Sequence, residues 1–154
     1  MQKKDQCIIL DKEWIKFYLP HRELALVLDS AIYDPAVKDK LIATKKLSAK
    51  DPYFKGHFPG KPVLPGHWQL EFICLAGAVL CGLMFPAQKG YPTLTGFEGM
   101  KLRRPIIPGD IIEIKVQFLR QEIIKNTHYF LSGAIFLRGK KASSVEEIHG
   151  VLIT

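Results

Sequence analysis

Apolar residues along the chain fall into two periods. Between Pro65 and Met84, Trp68, Phe72, Leu75, Ala76, Val79, Leu80 and Leu83 follow the i, i+3, i+4 rhythm, and Leu70, Ile73 and Ala78 fill the other faces. A helix apolar on nearly all sides must be wrapped, and a sheet is the partner this pattern predicts. Pro65 and Gly66 suit its start, and no further proline occurs until Pro86. Downstream the period changes to two. Ile112, Ile114, Val116 and Phe118 alternate with Glu113, Lys115 and Gln117 between Ile111 and Arg120, which predicts a half-buried antiparallel strand.

The remaining segments are shorter. Met1 to Leu10 reads as a polar start and an apolar run, an added edge strand. Asp11 suits the cap of a short helix with Trp14, Ile15, Phe17 and Tyr18 inward, ending before Pro20. Glu23 to Tyr33 and Lys38 to Leu47 read as a strand hairpin about Asp34-Pro35. Thr93 to Gly99 is strand-like, with Gly96 and Gly99 marking a bulge or a close backbone approach, and Lys101 to Ile106 continues it. Pro108-Gly109-Asp110 is a turn, and Asn126 a break. Thr127 to Arg138 and Ala142 to Ile153 are two further strands about Gly139-Lys140. One long buried helix among several long antiparallel strands defines an α+β domain, a sheet wrapped around a helix. It spans residues 1–154 without an internal repeat or linker.

A chain of 154 residues, 47% hydrophobic, has the material for one core. With 22 Lys+Arg against 15 Asp+Glu, the net charge of +7 favours an acidic partner: nucleic acid, an anionic membrane or an acidic protein. No RNA-binding aromatic motif, zinc-finger spacing or basic amphipathic helix accompanies it. Cys7, Cys74 and Cys81 lack metal-type spacing and suggest no disulfide framework, and the last two read as small apolar fillers. The start, MQKKDQC, is too polar for a secretory signal. The long helix approaches a membrane span in length but carries His67, Gln69 and Glu71. These features point to a soluble, cytoplasmic chain that needs no metal or cofactor.

Candidate chemistry sits where a loop meets the helix. Pro52, Pro59, Pro62 and Pro65 with Gly56, Gly60 and Gly66 impose a stiff, defined path. Glu71 breaks the apolar pattern in the second turn of the helix, and a buried carboxylate without a partner costs several kcal/mol. His57 lies on the loop just upstream. A histidine on a rigid loop and a carboxyl on a buried helix form an acid/base pair by type. The bland reading, a solvated Glu71 and a surface His57, suits either residue alone better than both together.

GHFPGKPVLPG followed by WQLE closely resembles the signature of the FabZ-type 3-hydroxyacyl-acyl-carrier-protein dehydratases, hotdog-fold enzymes of fatty-acid synthesis. The resemblance rests on His57, Phe58, Pro59, Gly60, Pro62, Pro65, Gly66 and Glu71 at the family spacing. It extends to Leu19-Pro20-His21-Arg22 and to Arg103 through Asp110. It implies a hotdog fold, and a homodimer that joins two sheets and can assemble into a trimer of dimers. It also implies that the substrate is carried by acidic acyl carrier protein, which accounts for the basic charge without nucleic acid or membrane.

The family's chemistry assigns roles to these positions. His57 would remove the C2 proton, and Glu71 would donate a proton to the departing hydroxyl or bind it. The Gly66 N–H at the helix start would meet the thioester oxygen. In the family the His and the Glu of one site come from different subunits. A Glu rather than an Asp favours dehydration without isomerisation of the double bond. Phe58, Pro65, Trp68 and Phe72 would contact substrate. Lys101, Arg103 and Arg104 are the candidates for carrier-protein contact, a solvated strand edge being the other reading for each. His21 takes a structural or entrance role, since its position is not the base in the family.

The chain also departs from the family pattern. His67 and Trp68 stand where aliphatics are usual, Phe72 where Ala is usual, and Leu75 where Gln is frequent. Either the acyl tunnel is reshaped for a shorter, bulkier or specialised substrate, or the core is repacked in compensation. His67 could also perturb His57 or Glu71. Two other functions remain open: a hotdog acyl thioesterase, against which the His-Phe-Pro-Gly loop argues, and a non-catalytic carrier-binding hotdog subunit, against which retention of both His57 and Glu71 argues.

Overall fold

The structure is a computed structural model that describes residues 7–154. The polar residues 1–6 of the expected N-terminal segment lie outside the described residues. In chain order the elements are β1 (Ile8–Leu10), α1 (Lys12–Tyr18), β2 (Ser30–Tyr33), β3 (Lys40–Lys46), α2 (Gly66–Met84), β4 (Tyr91–Glu98), β5 (Lys101–Leu102), β6 (Ile111–Ile123), β7 (Thr127–Leu137) and β8 (Lys140–Ile153). The eight strands form one antiparallel sheet in the order β1-β2-β3-β6-β7-β8-β4, with β5 also pairing β8. The sheet curls around α2, which is the architecture expected of a helix apolar on nearly every face.

Alternation along β6 positions the helix. Ile112, Ile114 and Val116 are buried toward α2, whose Phe72, Ile73, Ala76, Val79 and Leu80 are fully buried. The approach is close enough to exclude a side chain from β7: a Cβ on Gly133 would come within 2.3 Å of Ile73 Cγ2. By length and composition α2 could cross a membrane, but here it is the core helix of the sheet.

Three segments differ from the pattern-based expectation. Asp11 does cap α1, its carboxylate accepting the Trp14 N–H at 3.0 Å, but only Ile15 is buried. Trp14 and Phe17 point outward, 55% and 76% exposed, because a helix of two turns on a sheet's edge buries one narrow stripe. Of Glu23 to Tyr33, only Ser30–Tyr33 joins the ladder. A 3₁₀ turn spans Glu23–Ala25, and Leu26, Val27 and Leu28 are buried without strand pairing. They pack into the core before the chain reaches Asp29, which accepts the Lys46 N–H at 2.8 Å and pairs with Lys45 at 3.3 Å. Of Lys101 to Ile106, only Lys101–Leu102 pairs as a strand. The N–H groups of Arg103 and Arg104 both donate to the Ala142 carbonyl, at 2.8 and 3.1 Å, and the chain then leaves the sheet.

The hairpin of β2 and β3, the Pro108-Gly109 turn and the bulge of β4 all form where the sequence places them. The bulge falls between Leu94 and Gly96. Asp110 closes the turn, its carboxylate accepting the Ile107 N–H at 2.9 Å.

Candidate active site

The loop before α2 is held by its own backbone. Phe58 and Lys61 exchange hydrogen bonds of 3.1 and 3.0 Å, and Val63 N–H donates to the His57 carbonyl at 2.8 Å. Gly56 and Gly60 adopt φ of +80° and +73°, a region that side chains disfavour. Tyr53, Phe54 and Leu64 anchor the loop in the core, and Leu64 N–H donates to the Ile106 carbonyl at 2.8 Å, tying the loop to the Arg103-to-Asp110 segment.

This scaffold fixes the state of His57. Its Nδ1 lies 2.8 Å from the Val63 carbonyl oxygen. A carbonyl only accepts, so Nδ1 carries the proton, and in the neutral ring Nε2 keeps a lone pair. The Phe58 ring stacks on the imidazole with centroids 4.1 Å apart, while Phe58 itself is 55% exposed. The ring is therefore oriented on one side by a backbone acceptor and on one face by an aromatic plane.

Glu71 stands on another surface. It is half-buried and lines a cavity of about 150 Å³, a volume comparable to an engineered cavity that takes up benzene. The cavity runs along one stripe of α2, through Cys74, Leu75, Ala78 and Cys81 to Phe85 at its C-cap, and against Pro92, Thr93 and Leu94 of β4. Phe85 packs on Tyr129 at 5.5 Å and on Phe118 at 5.4 Å near its far end. His21 and Tyr129 also line the cavity, and His21 Nδ1 and the Tyr129 hydroxyl are both buried without a hydrogen-bond partner among the described residues. No hydrogen bond or ion pair joins His57 to Glu71 within the chain, and His57 does not line the cavity.

The other expected site residues divide. Pro65 is the N-cap of α2 and is buried; Gly66 is its first residue. A Cβ on Gly66 would meet Leu102 Cδ1 at 2.7 Å, so glycine lets β5 lie against the helix start. Trp68 and Phe72 face Tyr53, with ring centroids at 4.8 and 5.6 Å, and neither lines the cavity. Phe72 is fully buried. His67 is exposed, its ring 5.9 Å from that of Trp68. Lys101 pairs with Glu146 at 3.5 Å, Arg103 donates to Ser144 Oγ at 2.7 Å, and Arg104 is exposed.

Sequence reading missed most of the cavity wall. Its signal was present on α2, since 71, 74, 75, 78, 81, 82 and 85 form one i, i+3, i+4 stripe beginning at Glu71. His21, read from the family resemblance as a structural or entrance residue, lines the cavity, whereas nothing in the sequence marked Tyr129, which reaches it through tertiary packing.

Cys74 and Cys81 are wall residues rather than plain fillers. Burial pushes both thiols up to about 12, and the Glu71 charge adds to the shift at Cys74. At pH 8 their thiolate fraction falls on the order of 10³-fold below that of an ordinary thiol. Iodoacetamide at pH 8 is therefore expected to modify exposed Cys7 quickly, and Cys74 and Cys81 only after unfolding. Peptide mapping reads the result, and rapid labelling of Cys74 in the folded protein would contradict it.

Among known families, that of the ApeI-like dehydratases, described as "ApeI dehydratase", matches residues 35–140. A curated 3-hydroxyacyl-(acyl-carrier-protein) dehydratase FabZ from Anaeromyxobacter dehalogenans is 35% identical over 117 residues, 74% of each chain. Among solved structures, the dehydratase heterocomplex ApeI:P from Xenorhabdus doucetiae superposes with a TM-score of 0.75 at 17% identity, covering 91% of each chain. A putative thioesterase, a phenylacetic acid degradation-related protein from Ralstonia eutropha, gives 0.59 at 12% identity over 77% of this chain and 80% of that one. At such identities the two structural likenesses speak for the shared hotdog fold alone.

Proposed function

This chain belongs to the ApeI-like dehydratase family, and on that premise we propose that it removes water from a 3-hydroxyacyl thioester borne by acyl carrier protein, giving the trans-2-enoyl thioester. The observation that carries the assignment of roles is the His57 tautomer. With Nδ1–H committed to the Val63 carbonyl, Nε2 is left as the base. It takes a proton from C2 of the substrate. The C2–H electrons form the C2–C3 double bond, and the C3–O bond breaks toward the Glu71 carboxyl, whose proton leaves with the hydroxyl as water. The thioester oxygen gathers charge during this step. The Gly66 N–H, at the positive end of α2, is the donor suited to it. The protonated imidazole and ionised carboxylate return to their starting states by proton exchange with water.

The same reading makes the working unit a homodimer. β4 is an edge strand on which Tyr91, Leu94 and Phe97 are 65%, 42% and 48% exposed. A long apolar edge invites a further strand. The Glu71 cavity runs along this edge, whereas His57 sits apart from it. Pairing a second copy at β4 would bring its loop to the cavity, so that each site takes His57 from one copy and Glu71 from the other.

The experiment is a comparison of two activities on crotonyl-type thioesters, loss of enoyl absorbance against release of free thiol. Hydration without thiol release is the expected result. Thiol release alone would make the protein a thioesterase, and inertness in both would make it a non-catalytic subunit.

A further inference from the structure

The face of the sheet turned away from α2 carries a charge arrangement that the reaction does not use. Ile114 and Val116 point into the core, so Lys115 between them points out. Across the strands Lys115 is in register with Ala134, Ala134 with Ser144, and Ser144 with Lys101. Lys40 pairs with Gln117, which pairs with Ser132. The result is a trough of about 570 Å³, floored by small side chains and walled by Lys40, Lys101, Arg103, Lys115 and Lys141. One carboxylate, Glu146, lines it and pairs with Lys101. Among the described residues Lys40, Lys115 and Lys141 have no ion-pair partner. Lys115 and Lys141 instead share the Phe136 ring, their ammonium nitrogens 4.6 and 5.9 Å from its centroid. Like charges gathered in this way repel one another until an anion covers them.

We propose that this trough is the docking surface for the acidic acyl carrier protein, extending the contact beyond Lys101 and Arg103 to Lys40, Lys115 and Lys141 on the outer sheet face. The proposal rests on the dehydratase reading above. Charge complementarity favours an acidic protein, and position favours the carrier. Lys101 of β5 and Arg103 just after it line the trough, while Leu102 between them lies against Gly66 at the start of α2. A carrier seated in the trough therefore rests on the same strand that abuts the start of the catalytic helix. Its flexible prosthetic arm has only to pass that edge. Arg104 does not line the trough and has no part in this surface.

The test reverses three charges that touch neither His57 nor Glu71: Lys40→Glu, Lys115→Glu and Lys141→Glu in one chain. Two substrates are compared, crotonyl-loaded acyl carrier protein and crotonyl N-acetylcysteamine. The KM for the carrier-bound substrate is expected to rise about 10-fold or more, the low end of what electrostatic steering supplies. Hydration of the small thioester should keep its kcat/KM, which also reports an intact fold. If the triple reversal misfolds, the same ratio is read from Lys40→Gln, Lys115→Gln and Lys141→Gln. An unchanged KM for the carrier substrate would overturn the docking surface while leaving the dehydratase reading in place. A native protein inert on both substrates would instead overturn that reading, and the proposal with it. Tight binding of a DNA duplex through the three lysines, without an effect on the carrier KM, would assign the trough to nucleic acid and overturn the proposal.

Discussion

Replacing His57 with alanine is expected to lower hydration of a short trans-2-enoyl thioester by about 10²- to 10⁴-fold, the range that a positioned acid or base contributes. Glu71→Gln should cost a similar factor, because an amide neither donates the acidic proton nor returns it. Both substitutions leave the core alone. His57 sits on a loop whose shape is set by Phe58–Lys61 and Val63 backbone bonds, and the Glu71 side chain makes no hydrogen bond or ion pair among the described residues. Circular dichroism and thermal melting should therefore match the native chain. Activity within about threefold of native in His57→Ala would remove His57 from the chemistry, whatever the motif suggests.

Phe72→Ala should act in the opposite way. Sequence reading placed Phe72 at the acyl tunnel, with core repacking as the alternative. In the structure the ring is fully buried, edge-on to Tyr53 at 5.6 Å, and away from the cavity that Glu71 lines. Truncation removes the whole ring and leaves a void under α2, which costs about 3–5 kcal/mol. That is a large part of a typical domain's stability. Urea denaturation should show the loss, and Phe72→Leu, which keeps more volume, should show a smaller one. A stable Phe72→Ala protein with a raised KM would return Phe72 to the substrate.

The long periods of the fold were legible because burial dictates them. The α2 pattern and the β6 alternation arise from residues that each face one environment, so spacing alone locates them. Glu23 to Tyr33 was less legible. Leu26, Val27 and Leu28 are as buried as any strand, yet they pack without joining the ladder, and composition cannot separate the two cases. Trp14 and Phe17 misled for a related reason: an aromatic residue on a short edge helix need not face inward. At the site, His57 and Glu71 stood out as a constellation of types. Their separation within one chain, and the arrival of His21 and Tyr129 at the cavity, depend on contacts distant in sequence. The outer trough was invisible for the same reason, since Lys40, Lys101, Lys115 and Lys141 come together only through strand register.

We propose that His57 of one copy and Glu71 of another make a single dehydratase site. The most direct test is the activity of a heterodimer of His57→Ala and Glu71→Gln chains, co-expressed with different tags and purified through both. In a two-fold dimer with shared sites, one site of such a pair carries both mutations and the other carries neither. Hydration at about half of the native rate is the expected result. Activity no higher than that of the two single variants would place His57 and Glu71 of each site in one chain and contradict the claim.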